Sequence, residues 1–176
     1  MAQWLNESIL VSEALTVRVK NLSRLMSVAI AVVVFVGDQA TKAMVESSIP
    51  EHAVIPIIPH FFNLTHVKNA GAAFGIFSDA PSPWKTAILI LISAALLATV
   101  IAFAWRDHRL RWESVVGLAL VLGGALSNLV DRIRLGRVVD FLDFYFRTYH
   151  WYTFNLADSA IVVGAGLLIL QVLISD

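Results

Sequence analysis

Thr86–Trp105 reads TAILILISAALLATVIAFAW, twenty residues without a charge. At 1.5 Å per residue, a helix of that length covers about 30 Å, the thickness of a bilayer's hydrocarbon layer. The stretch predicts a membrane-spanning helix, and the composition agrees. Hydrophobic residues make up 58% of the 176 and charged residues 15%, where soluble domains have roughly 45–50% and 25%. Mean hydropathy is +0.75. Length and composition together predict one integral membrane domain over residues 1–176.

Three further apolar runs flank this stretch: Leu25–Gly37, Val115–Val130 and Ser159–Ser175. With their ends extended, the expected spans are about 24–44, 86–105, 113–132 and 156–175. A signal peptide is the alternative for the first span, but QATKAM offers no A-x-A-like cleavage site, so an uncleaved helix is expected. Residues 46–84 differ in texture, holding all five prolines. Phe61–Lys68 reads as a strand with Val54–Ile58 as its partner, which predicts a compact β subdomain. Gly71 and Gly75 suggest that this segment moves over the site. Arg134–Thr153 is polar and aromatic and reads as a loop. The expected fold class is membrane all-α: four transmembrane helices with a small extramembrane β subdomain between helices 1 and 2.

Four spans put both termini on one side. The ends of spans one and three and the start of span four then meet on the other side. Asp38, Lys42, Asn69, Asn128, Arg132, Asp140, Asn155 and Asp158 all converge there. The thirteen basic residues divide six to seven between the two sides. Those on the termini side sit in shorter loops, which leans the termini toward the cytoplasm.

Several functions are disfavoured. Thirteen acidic residues cancel the basic ones and no basic tract is interleaved with aromatics, so nucleic acid is not an expected partner. Absence of cysteine removes disulfides, thiolate metal sites and a cysteine nucleophile. The five histidines lack HExxH spacing, and neither a G-x-S-x-G elbow nor a phosphate loop appears. Neither a metal nor another cofactor is expected.

The run Gly123–Tyr145, GGALSNLVDRIRLGRVVDFLDFY, carries Asn128, Asp131, Arg132, Arg134, Arg137, Asp140 and Asp143 beside hydrocarbon-length helices. Phe154–Asp158, FNLAD, opens the last span. An ionisable group near a helix centre costs about 2.5–3.5 kcal/mol on insertion scales, so such residues ask for a function. Asp38 and Lys42 stand at i and i+4, as do Asn128 and Arg132, hence each pair shares a helix face. Either pair is an interfacial contact or a brace for the site. Asn69, before the small residues Ala70–Ala73, reads as a turn or as an amide that holds a substrate backbone. Asp140 and Asp158 are the favoured catalytic pair. Val138, Val139, Phe141 and Leu142 desolvate Asp140, which raises a carboxyl pKa. Two close carboxyls share one proton, giving one base for water and one acid for a carbonyl oxygen and leaving amine. On pattern alone, Asp143 competes with Asp140. A proton-coupled carrier and a lipid-binding scaffold using Arg134, Arg137 and Arg147 are the rivals. The sequence shows no inverted repeat for the first, and the second leaves a carboxylate unexplained.

The blocks DQATK (38–42), NAGAAFG (69–75), GGALSNLVDR (123–132), GRVVDF (136–141) and FNLAD (154–158) resemble those of bacterial lipoprotein signal peptidase, the signal peptidase II family. The resemblance runs from about residue 22 to 174, in order among the four spans. It implies Asp140 and Asp158 as catalytic residues. It also implies supporting or substrate-binding roles for Asp38, Lys42, Asn69, Gly71, Asn128, Arg132, Asn155 and Ala157. Ser127 departs from the glycine common at its place. The implied enzyme is a bacterial inner-membrane aspartic endopeptidase with cytoplasmic termini and a site near the periplasmic face. Its partners would be diacylglyceryl-modified prolipoproteins, cut just before the lipidated cysteine, and membrane lipids. It is expected to act as a monomer. Residues 1–21 lie outside the resemblance and receive no role.

Overall fold

The computed structural model describes residues 2–71, 83–106 and 111–174. Four helices are long and apolar enough to cross a membrane. Helix α1 (Ala2–Ser48) holds the first candidate span, Leu22–Ser48, and continues through residues given no role above. Helices α2 (Pro83–Arg106), α3 (Trp112–Leu135) and α4 (Leu156–Ile174) supply the others. Pro83 stands at the start of α2, where its missing N–H costs nothing.

Helix α3 is the centre of the bundle. Two-thirds of its span is buried, against 22% or less for the other three. Small residues let the neighbouring helices approach closely. A Cβ on Gly123 would lie 2.6 Å from the Ala31 carbonyl oxygen of α1, and one on Gly124 would collide with the Ala157 carbonyl oxygen of α4. This is the packing that small residues give helices in lipid, where apolar burial alone does not drive association. The outward faces stay apolar and uncovered, as Val33, Leu91, Val162 and Leu173 show.

Strands β1 (Val54–Ile58), β2 (Phe62–Asn69), β3 (Val138–Phe146) and β4 (Tyr149–His150) form one antiparallel sheet in that order. Pro56 is tolerated because β1 is an edge strand. Half of the sheet thus comes from residues read above as a loop. The run VVDFLDFYF is β-branched and aromatic, as strands require, but the surrounding charges made the region look merely polar. The β structure is therefore built from two segments, one between α1 and α2 and one between α3 and α4. Residues 72–82, including Gly75 and the end of the NAGAAFG block, lie outside the described residues, as do residues 107–110 of the charged turn.

Two features fix the sheet against the bundle. Helix α3 ends at Gly136, whose φ of +70° suits glycine and whose N–H donates to the Arg132 carbonyl at 3.0 Å. The chain passes directly from there into β3. Val45 and Ile49, from the end of α1 and just beyond it, pack against Val139 and Phe141 of β3 in one buried cluster.

Candidate active site

Strand β3 leaves the α3 cap with its first four residues buried, and the third of these is Asp140. Helix α4 begins at Leu156, which puts Asp158 in its first turn, where the helix dipole favours negative charge. Three asparagines connect these carboxyls, and each has its amide oxygen occupied by an N–H donor. Asn128 Oδ1 accepts from Lys42 Nζ at 2.9 Å, so its Nδ2 donates to Asp158 Oδ1 at 2.8 Å. Asn155 Oδ1 accepts from the Asp158 backbone N–H at 2.9 Å, and its Nδ2 donates to Asp140 Oδ1 at 2.7 Å. Asn69 Oδ1 accepts from the Gly71 N–H at 2.8 Å, and its Nδ2 donates to Asp140 Oδ2 at 3.0 Å. A donor on each oxygen leaves only one amide orientation open. All three NH₂ groups consequently aim at the two aspartates.

Asp140 is 2% exposed. Burial is the main cause that lifts its carboxyl from 3.8 to about 7, and the neighbouring Asp158 charge adds to it. Donation from Asn69 and Asn155 and the charge of Lys42 act the other way. Burial wins, so the acid holds a proton near neutral pH.

Behind the asparagines lies a buried ionic knot. Lys42 Nζ stands 2.6 Å from Asp38 Oδ2 and 2.6 Å from Asp131 Oδ2. Asp38 Oδ1 accepts from the Ala157 N–H at 2.9 Å, tying the end of α1 to the first turn of α4. Its Oδ2 accepts from Ser127 Oγ at 2.7 Å. Gln39 Nε2 donates to Asp131 Oδ1 at 2.7 Å and to Ser127 Oγ at 2.9 Å. Unpaired, such charges would cost several kcal/mol each away from water, so the knot holds only because every member has partners. Arg132 Nη2 reaches the Gly71 carbonyl and its Nη1 the Asn128 carbonyl, both at 3.3 Å. Its buried Nε finds no partner among the described residues.

Every residue named from the sequence for this site therefore lies in one connected network. Gln39 and Ser127 received no role from the sequence, and Asp131 was singled out among the charges of its run without one. A signal was present: Ser127 and Asp131 repeat on α3 the i, i+4 spacing of Asp38 and Lys42 on α1. Asp143, the competitor of Asp140, has other partners. It accepts from Asn63 Nδ2 at 2.8 Å and meets His150 Nδ1 at 2.9 Å. Among the described residues, no group of three or more histidine or carboxylate side chains is arranged to hold a metal.

Fold and site together define a multi-pass membrane protein with paired carboxyls where its helices meet a small sheet. A sequence profile of the signal peptidase (SPase) II family matches residues 30–174. A lipoprotein signal peptidase of Solibacter usitatus is 45% identical over 144 residues, 82% of this chain and 88% of that one. One from Geobacter metallireducens is 41% identical over 152 residues, 85% of this chain and 91% of its own. A solved bacterial membrane enzyme superposes with a TM-score of 0.76 at 34% identity, covering 84% of this chain and 87% of the other. The chain belongs to the signal peptidase II family, and it is a protease.

Proposed function

We propose that this protease, which as a family member removes signal peptides from lipoproteins, uses Asp140 and Asp158 as an aspartic dyad. The observation that carries the reading is the pairing itself. Two carboxyls from separate elements, Asp140 buried and Asp158 part-buried, are held by three oriented amides, and Asp140 keeps its proton to about pH 7. Asp158 takes a proton from water as the water oxygen attacks the scissile carbonyl carbon. Asp140 gives its proton to the carbonyl oxygen. In the second half Asp158 passes its proton to the amide nitrogen, Asp140 recovers one from the hydroxyl, and the C–N bond breaks. Positioned acid–base transfer of this kind is worth about 10²–10⁴-fold in rate.

The substrate class is the diacylglyceryl-modified prolipoprotein, cut N-terminal to the lipidated cysteine. Support comes from the relatives' activity and from a carboxyl pair set at the start of a membrane span, where a lipid-bearing residue can arrive from the bilayer. Asn69, Asn128 and Asn155 orient the dyad. Asp38, through the Ala157 N–H, and Lys42, through Asn128, brace it. Arg132, whose Nε finds no partner among the described residues, and Gly71 stand beside the dyad as contacts for the substrate backbone. The four spans make one domain of the inner membrane, with termini in the cytoplasm and the site near the periplasmic face. One chain supplies every group in the network, which supports a monomer.

The test is a gel-shift cleavage assay on a diacylglyceryl-modified prolipoprotein in detergent, with a chelator throughout. Asp140→Asn and Asp158→Asn should yield no product while eluting as folded protein, and Asp143→Asn should cleave. Cleavage surviving either of the first two substitutions would make those carboxyls structural.

A further inference from the structure

We propose that Asp131 is a positioning residue of the reaction, whose negative charge offsets Lys42 so that the dyad can hold its proton. This rests on the aspartic reading above. Lys42 is 3% exposed, and its ammonium meets Asp38, Asp131 and the Asn128 oxygen, which satisfies all three N–H bonds. From that place it is one residue away from the dyad, because the Asn128 amide that it orients donates to Asp158. Its positive charge also reaches Asp140, where it opposes protonation.

An unbalanced ammonium at this position would work against a shared proton. Balance comes from the two carboxylates, and they are not equivalent. Asp38 is also committed to the α4 backbone and to Ser127. Among the described residues, the hydrogen-bond partners of Asp131 are Lys42 and the neutral Gln39, so its charge can be removed without releasing the α1–α4 tie that Asp38 makes. The charged groups around the cluster are Asp38 and Lys42 from α1, Asp131 and Arg132 from α3, Asp140 from β3 and Asp158 from α4. Strand β2 contributes the neutral Asn69. Removing the Asp131 charge leaves the cations less opposed and makes Asp140 easier to ionise. The alkaline limb of activity then moves to lower pH.

The experiment is the pH profile of kcat/KM on lipidated prolipoprotein in detergent for wild type, Asp131→Asn and Asp131→Glu. Wild type should lose activity as Asp140 ionises. Asp131→Asn should move that limb down by about one pH unit, a tenfold change in ionisation, with KM nearly unchanged. Asp131→Glu keeps the charge and should restore the limb. Asp131→Ser, which also removes the charge, serves if the asparagine variant does not fold. A charge-removing variant that is less active with its limb unmoved would overturn the proposal and leave Asp131 a structural residue. A wild-type profile with no alkaline limb would instead overturn the dyad reading.

Discussion

Asp140 and Asp143 lie three residues apart on the same strand, both nearly inaccessible at 2% and 6% exposure. Burial alone does not distinguish them, but their partners do. Asp140 receives two amide donors and stands near a second carboxylate, an arrangement that supplies hydrogen bonds without a fixed counter-charge. Asp143 has Asn63 across the strand pair and the imidazole of the half-exposed His150. A buried acid next to another acid is poised to exchange a proton, whereas one next to a base is a structural contact.

The sharpest break of this contrast is the substitution series. Asp140→Asn should lower kcat by roughly 10³-fold or more, in line with loss of a positioned acid–base group. Asp143→Asn should change it less than about threefold, because its partners lie outside the acid–base pair. Single-turnover cleavage of a lipidated prolipoprotein measures both. Equal losses would abolish the distinction.

Next in size is Asn155→Ala, which strips a donor from Asp140 and removes the side-chain oxygen that caps the Asp158 N–H. Leaving buried polar groups unpaired costs about 1–3 kcal/mol. The expected outcome is a 10–100-fold fall in kcat, read in the same assay.

A pH experiment tests the proton on Asp140. Its carboxyl titrates near 7 in the fold against an ordinary 3.8, so between these values the folded state binds the proton more tightly than the unfolded chain. That part of stability is present below the lower value and is lost as pH rises through the window. Asp140→Asn has no such loss. Its melting temperature relative to wild type should therefore climb from about pH 4 to about pH 8. A constant difference would deny the raised value. The smallest effect belongs to His150→Ala, which leaves Asp143 with Asn63 alone. It should cost about 1 kcal/mol of stability in thermal melts and leave cleavage intact.

The contrast also shows what the sequence could reveal. Four spans were legible because uncharged apolar runs of thirteen to twenty residues, extended at their ends, admit few other structures in so hydrophobic a chain. The sheet was only half legible. Strand β2, β-branched and aromatic and preceded by Pro59, was read to within a residue, whereas β3 was masked by Arg137, Asp140 and Asp143. The site's members lay in recognisable blocks, but their geometry did not. Asp143 could be separated from Asp140 only through resemblance, since what distinguishes them is Asn63 and His150 across the register. Gln39 escaped notice because its target, Asp131, lies ninety-two positions away.

The bond from the Ala157 N–H to Asp38 joins the first span to the last. It has a consequence for biogenesis. A ribosome that has made everything up to residue 150 has delivered three spans and one carboxyl of the pair, but neither Asn155 nor Asp158. If the proposed dyad does the chemistry, that nascent chain is a silent protease until its final helix enters the bilayer and docks against α3. On the same reading, adding the last helix as a separate peptide to a chain ending at residue 150 should restore cleavage.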